Sequence, residues 1–88
     1  MLKIDLSNRF KKDLKRYEHN KKVQLELDAI LKLLLNKKEL PEKYSDHPLT
    51  GDYSRYRECH LRPDVLLVYR LTHTHIYLAR IGSHSELF

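Results

Sequence analysis

The hydrophobic period changes partway along this chain, and that change limits the fold more than any other feature. From Ser7 to Lys37 apolar residues recur at helical spacing; from Arg55 to Ile81 they alternate or run together, as in strands. Ahead of both, Leu2, Ile4 and Leu6 alternate with Lys3 and Asp5, the period of a half-buried strand. Ser7 is a good N-cap for a helix running to about Glu18, with Phe10, Leu14 and Tyr17 as its apolar stripe. Lys11, Lys12, Lys15 and Arg16 lie off that stripe and face water or a partner. His19-Asn20 breaks the helix. Asn20 caps a second one over 21–37, with Val23, Leu27, Ile30, Leu31 and Leu34 toward the core. So short a link predicts an antiparallel helical hairpin. Pro41 stops any continuation, and residues 39–54 read as a long loop.

Residues 55–61 form the first strand of the second half. Tyr56, Glu58 and His60 lie on one face, and Arg57, Cys59 and Leu61 on the other. Arg62-Pro63-Asp64 is a turn. Residues 65–71 are apolar on both faces, as a central strand requires. Residues 72–75 make a hairpin tip, 76–81 a third strand that ends at Gly82, and 83–88 a tail. The predicted order is β-α-α-β-β-β, an α+β fold with a mainly antiparallel sheet packed against a two-helix hairpin. One domain spans 1–88.

Charge is segregated along this scaffold. The formal net charge is +5, from 17 Lys+Arg and 12 Asp+Glu. Residues 1–22 hold eight basic and three acidic side chains, so the whole excess lies there, while five of the six histidines fall between His47 and His84. The basic quarter suits a polyanion, either nucleic acid or an acidic protein; a solubilising helix face fits equally. Cys59 is the only cysteine and forms no internal disulfide. The N-terminus lacks the apolar core of a signal peptide, and the longest apolar run, Val65 to Tyr69, is far short of a membrane span. The expected address is a reducing cytoplasm, with no membrane partner.

Several residues could carry chemistry. His60 and Asp64 flank the Pro63 turn, where a carboxylate beside an imidazole fixes its tautomer; a plain surface turn is the alternative. His47 lies in the long loop, and His84 follows Arg80 after the last strand. Arg80 offers a fork of donors suited to phosphate, or to an ordinary surface ion pair. Phe88 can stack on a base or pack against the sheet. His73 and His75 are too few ligands for a metal, and the mid-strand Cys59 reads as a core residue. No Gly-rich phosphate loop is present, which argues against ATP or dinucleotide cofactors.

Four segments together resemble one family. They are Asp46-His47-Pro48-Leu49 with Gly51, Tyr56-Arg57-Glu58-Cys59-His60, Arg62-Pro63-Asp64-Val65 with the apolar run after it, and Arg80-Ile81-Gly82-Ser83-His84 through Phe88. Their order and spacing resemble the YafQ branch of the RelE/ParE toxin superfamily over essentially the whole chain. The resemblance implies a cytoplasmic mRNA interferase that acts at the ribosome and is restrained by a DinJ-like antitoxin, an acidic segment of which would wrap the toxin. It implies His47, His60, Asp64 and His84 as catalytic residues, Arg80 and Phe88 as phosphate- and RNA-binding residues, and no metal or cofactor. Many relatives carry Trp after the aspartate; here the residue is Val65. Lys11, Lys12, Lys15 and Arg16 become the expected docking face for ribosome or RNA.

The residue set suits that chemistry. Internal transesterification of RNA needs a base for the ribose 2′-OH, an acid for the departing 5′-oxygen and a cation for the phosphorane. His47 and His60 are the expected acid-base pair, with Asp64 orienting one of them. A ParE-like gyrase inhibitor, a non-catalytic nucleic-acid-binding domain and a metal-dependent nuclease are the competing readings.

Overall fold

The computed structural model describes residues 2–88. Strand β1 covers Lys3–Leu6, helix α1 Asn8–Leu14 and helix α2 Lys21–Leu35. Strands β2 (His47–Pro48), β3 (Arg57–Arg62), β4 (Val65–Leu71) and β5 (His75–Gly82) follow, and helix α3 (His84–Leu87) closes the chain. The five strands lie in the order β1-β5-β4-β3-β2. β1 runs parallel to β5, and every other pairing is antiparallel. The predicted α+β architecture is therefore present, with a short fifth strand that the loop reading omits.

Both helices cover one face of the sheet. Phe10 of α1 and Val23, Leu27, Ile30 and Leu34 of α2 share one buried cluster with Cys59, Leu61, Leu67, Tyr69, Ile76, Leu78 and Ile81. β4 is central, and Val65 through Tyr69 are buried without interruption, as its continuous apolar run predicts. β1 is a sheet edge instead of a half-buried strand: Ile4 and Leu6 are each 40% exposed.

The caps follow local chemistry. The Ser7 hydroxyl accepts from the Phe10 N–H at 2.9 Å, and the Asn20 side chain accepts from the Val23 N–H at 3.2 Å. Two helix ends differ from expectation. α1 tightens into a 3₁₀ turn over Lys15–Tyr17. α2 stops at Leu35 because Lys37 adopts a left-handed backbone, φ 56°. The Lys37 and Lys38 N–H groups then donate back to the Leu34 and Leu33 carbonyls, a Schellman closure that normally selects glycine. The tail is also ordered. Ser83 and Glu86 form a reciprocal capping box that nucleates α3, a Ser-x-x-Glu signal legible in the sequence. No helix among the described residues is long and apolar enough to cross a membrane.

Candidate active site

The sheet face away from α1 and α2 carries the candidate residues. Strand register places His47, Glu58, Val68 and Arg80 in one row across β2, β3, β4 and β5. His60, Leu66 and Gly82 form the neighbouring row. With adjacent strands about 4.8 Å apart, the first row spans roughly 14 Å. A distance of that order brings loop, strand and C-terminal residues onto one surface.

At the β2 end, two imidazoles converge on one buried carboxylate. Glu58 is only 6% exposed. Its Oε1 lies 3.5 Å from His60 Nε2 and 3.8 Å from His47 Nε2. The two rings are 6.5 Å apart between centroids, and both remain open to a ligand. His47 Nδ1 lies 2.8 Å from the Ser45 carbonyl. A carbonyl only accepts, so Nδ1 donates to it, and this bond turns Nε2 toward Glu58.

A second carboxylate fixes His47 from behind. Asp46 accepts from Arg57 Nη2 at 3.0 Å, from Arg57 Nε at 3.2 Å and from the Tyr69 hydroxyl at 2.6 Å. Ser45, with φ 49°, turns the chain into this anchor. The hydrogen bond to Asp46 raises the Arg57 pKa, so the guanidinium stays charged. Burial, and then the bond to Asp46, pushes the Tyr69 hydroxyl well above its usual value. Burial also pushes the Cys59 thiol up to about 12, which makes it a core residue and not a nucleophile.

The β5 end is built around Arg80. β1 pairs with β5 only as far as Leu78, so the next part of that strand edge needs another partner. Asp13 of α1, 4% exposed, supplies it: its Oδ2 accepts the Ile81 N–H at 3.2 Å and Arg80 Nε at 2.7 Å. A register shift skips Ala79, pairing Val68 with Arg80 and Tyr69 with Leu78. The shift sends Ile81 into the core and keeps Arg80 on the open face. The hydrogen bond to Asp13 raises the Arg80 pKa, so this cation is permanent. One helical turn further on, Arg16 pairs with Glu86 of α3.

α3 sets the last two side chains. The His84 and Phe88 ring centroids are 5.4 Å apart. A groove of about 550 Å³ opens beside them, lined by Tyr53, Tyr56, Val68, Arg80, Leu87 and Phe88 among others. A larger cavity of about 720 Å³ lies between the end of α2 and the β4–β5 turn, and none of the predicted site residues lines it.

Of the predicted site residues, His47 and His60 are brought together through Glu58, and Arg80 shares their sheet face. His84 and Phe88 lie close to each other on α3. Asp64 is exposed in the β3–β4 turn and makes no side-chain hydrogen bond or ion pair among the described residues. The carboxylate beside His60 is Glu58. Lys11, Lys12, Lys15 and Arg16 are all exposed, with Arg16 tied to Glu86. Sequence reasoning left Asp13, Asp46, Tyr53, Tyr56 and Glu58 without roles. Two had a signal: Glu58 stands two residues from His60 on one strand face, and Asp13 falls on the buried side of α1, one residue before Leu14. Among the described residues, no three His, Cys, Asp or Glu side chains stand in an arrangement that could hold a metal ion.

Known proteins share this architecture. Residues 2–88 match the model of a family described as the bacterial toxin of type II toxin-antitoxin system, YafQ. The mRNA interferase toxin YafQ of Escherichia coli K12 is 37% identical over 86 residues, covering 97% of this chain and 94% of that protein. A metal-bound toxin from Helicobacter pylori superposes with a TM-score of 0.89 at 44% identity, covering 100% of both chains. YafQ in the E. coli DinJ-YafQ complex superposes at 0.88 with 36% identity, covering 100% of this chain and 99% of that one. A match over this length, on a fold and motif set of this kind, makes the chain a member of the YafQ family of type II toxin-antitoxin toxins.

Proposed function

We propose that this chain cleaves mRNA by metal-independent, histidine-based transesterification and so halts translation. The observation that carries this reading is a pair of open imidazoles around one buried carboxylate, on the same sheet face as a fixed arginine. One histidine takes the 2′-OH proton, the 2′-oxygen attacks the adjacent phosphorus, and the 5′-oxygen leaves with a proton from the other histidine. The products are a 2′,3′-cyclic phosphate and a 5′-hydroxyl. His47 and His60 are the acid-base pair, and Glu58 holds them in place. Arg80 meets the phosphorane, with His84 of α3 as a second proton donor or positioning group and Phe88 against a base. Asp64 keeps its place in the set at the β3–β4 corner, since contacts in unliganded sites tighten once substrate binds.

The named activity of the E. coli relative supports mRNA as substrate, and the DinJ-YafQ complex supports a DinJ-like antitoxin as partner. The exposed row Lys11, Lys12 and Lys15 suits ribosomal RNA or an acidic antitoxin segment. The setting for both is the cytoplasm.

Primer extension on a translated message after induction tests the reading. New 5′ ends should appear within the translated region. His60→Ala or His84→Ala should abolish them, each proton-transfer group contributing about 10²–10⁴-fold, while the variant still folds and binds antitoxin. Intact transcripts alongside broken DNA would replace this reading with gyrase poisoning.

A further inference from the structure

Tyr53 and Phe88 are 50% and 51% exposed, although they touch. Their ring centroids are 6.0 Å apart with planes at 87°, and Tyr53 meets Tyr56 at 6.4 Å and 67°. A fold gains about 25 cal/mol for each Å² of apolar surface it buries, so half-open aromatic rings at a chain end and a loop forgo stabilisation. These rings are nevertheless held in place. Gly51, with φ +67°, opens the turn that carries Tyr53. The Tyr56 N–H donates to the Tyr53 carbonyl at 2.9 Å, and the Leu49 N–H donates to the Tyr56 carbonyl at 3.0 Å. The capping box of α3 fixes Phe88, whose N–H donates to the His84 carbonyl at 2.9 Å.

An edge-to-face pair leaves a right-angled corner. A planar aromatic ligand entering it stacks on one ring and meets the edge of the other. The groove at this corner also carries two guanidinium groups, Arg80 and Arg9, and is floored by Val68. Aromatic faces next to fixed positive charge suit single-stranded nucleic acid, in which a base stacks while its phosphate meets a cation.

We propose that Tyr53, with Tyr56 and Phe88, forms a nucleobase cradle that seats the base next to the phosphate bound by Arg80. The cradle rests on the RNA-cleavage reading and extends it from bond breaking to base recognition. Tyr53 becomes a residue that sets substrate preference, supplied by the loop before β3.

The test uses ribosomes programmed with short synthetic messages and single-turnover cleavage. An abasic nucleotide is placed in turn on each side of the cut to find the seated position. Tyr53→Ala should slow cleavage about 10–100-fold, in line with the loss of one base stack, and Tyr53→Phe should recover most of the loss. An abasic nucleotide at the seated position should slow the wild-type protein by a similar factor and Tyr53→Ala no further. Wild-type speed in Tyr53→Ala, or an equal abasic penalty in both proteins, overturns the cradle. A message with 2′-deoxyribose at the cut reads binding alone, by co-sedimentation with the ribosome. A Tyr53-dependent loss of binding without any wild-type cleavage keeps the cradle and removes the nuclease; cleavage indifferent to Tyr53 does the reverse, and no wild-type binding removes both. Since Tyr53 is half exposed, a cooperative thermal melt near that of the wild-type protein confirms that the variant is folded.

Discussion

The two ends of the row from His47 to Arg80 use the same part, a buried carboxylate, to opposite ends. At the β5 end Asp13 grips Arg80 at 2.7 Å and also closes the free strand edge at Ile81. At the β2 end Glu58 stands 3.5 and 3.8 Å from two imidazoles, a looser contact. An arginine never deprotonates in this range, so a tight ion pair costs its chemistry nothing and would fix the phosphate in the proposed reaction. A histidine must gain and lose its proton, so a short permanent pair would trap it in one state. On the proposed mechanism the difference gives positioning and stability to Asp13, and proton transfer to the Glu58 cluster.

Substitutions can break that division. Glu58→Gln keeps the side chain's shape and removes its charge. Cleavage is expected to fall about 10²–10⁴-fold with little change in melting temperature, measured by single-turnover kinetics beside a thermal melt. A Glu58→Gln protein that cleaves at the wild-type rate would show that the carboxylate serves structure at both ends. Asp13→Ala should do the opposite and act first on stability. It leaves Arg80 unpaired and the Ile81 N–H without an acceptor, and removing one partner of a buried pair costs about 3–5 kcal/mol. Because Arg80 is partly exposed and can rehydrate, the lower end of that range is expected in urea unfolding. Asp13→Asn, which still accepts from Ile81, should cost less. Equal losses for the two variants would mean that the charge alone holds the strand edge.

The smallest effect is a pH dependence behind the histidine end. Cys59 titrates at 9.0 when unperturbed and is pushed up to about 12 by burial. Tyr69 is raised in the same direction. A raised folded-state pKa means that these groups' contribution to stability is complete below the ordinary thiol value and declines as pH rises toward about 12. The urea midpoint should therefore be lower at about pH 10.5 than at about pH 8, and Cys59→Ala should flatten part of that slope. A midpoint that stays constant would place Cys59 and Tyr69 in contact with water.

Much of the fold was legible because hydrophobic period reports directly on burial. The stripe through Val23, Leu27, Ile30 and Leu34 and the continuous run from Val65 to Tyr69 are each buried as their spacing predicts. Caps at Ser7 and Asn20 were equally legible, since each satisfies its helix within three residues. β2 was not legible: two residues in a loop carry no period, and only the pairing of His47 with Glu58 defines them as a strand.

The sequence by itself determined which side chains are available: the histidines, Arg80, Phe88 and a basic first helix, together with the family pattern that collects them. Tertiary structure alone decided which carboxylate serves which partner. Asp64 is four residues from His60 in the chain, yet Glu58 lies beside the ring, and Asp13 reaches Arg80 across 67 residues. Those contacts depend on strand register, on the skipped Ala79 and on the end of β1 at Leu6. Each of these is set by how the whole sheet packs, and so none can be read from local spacing.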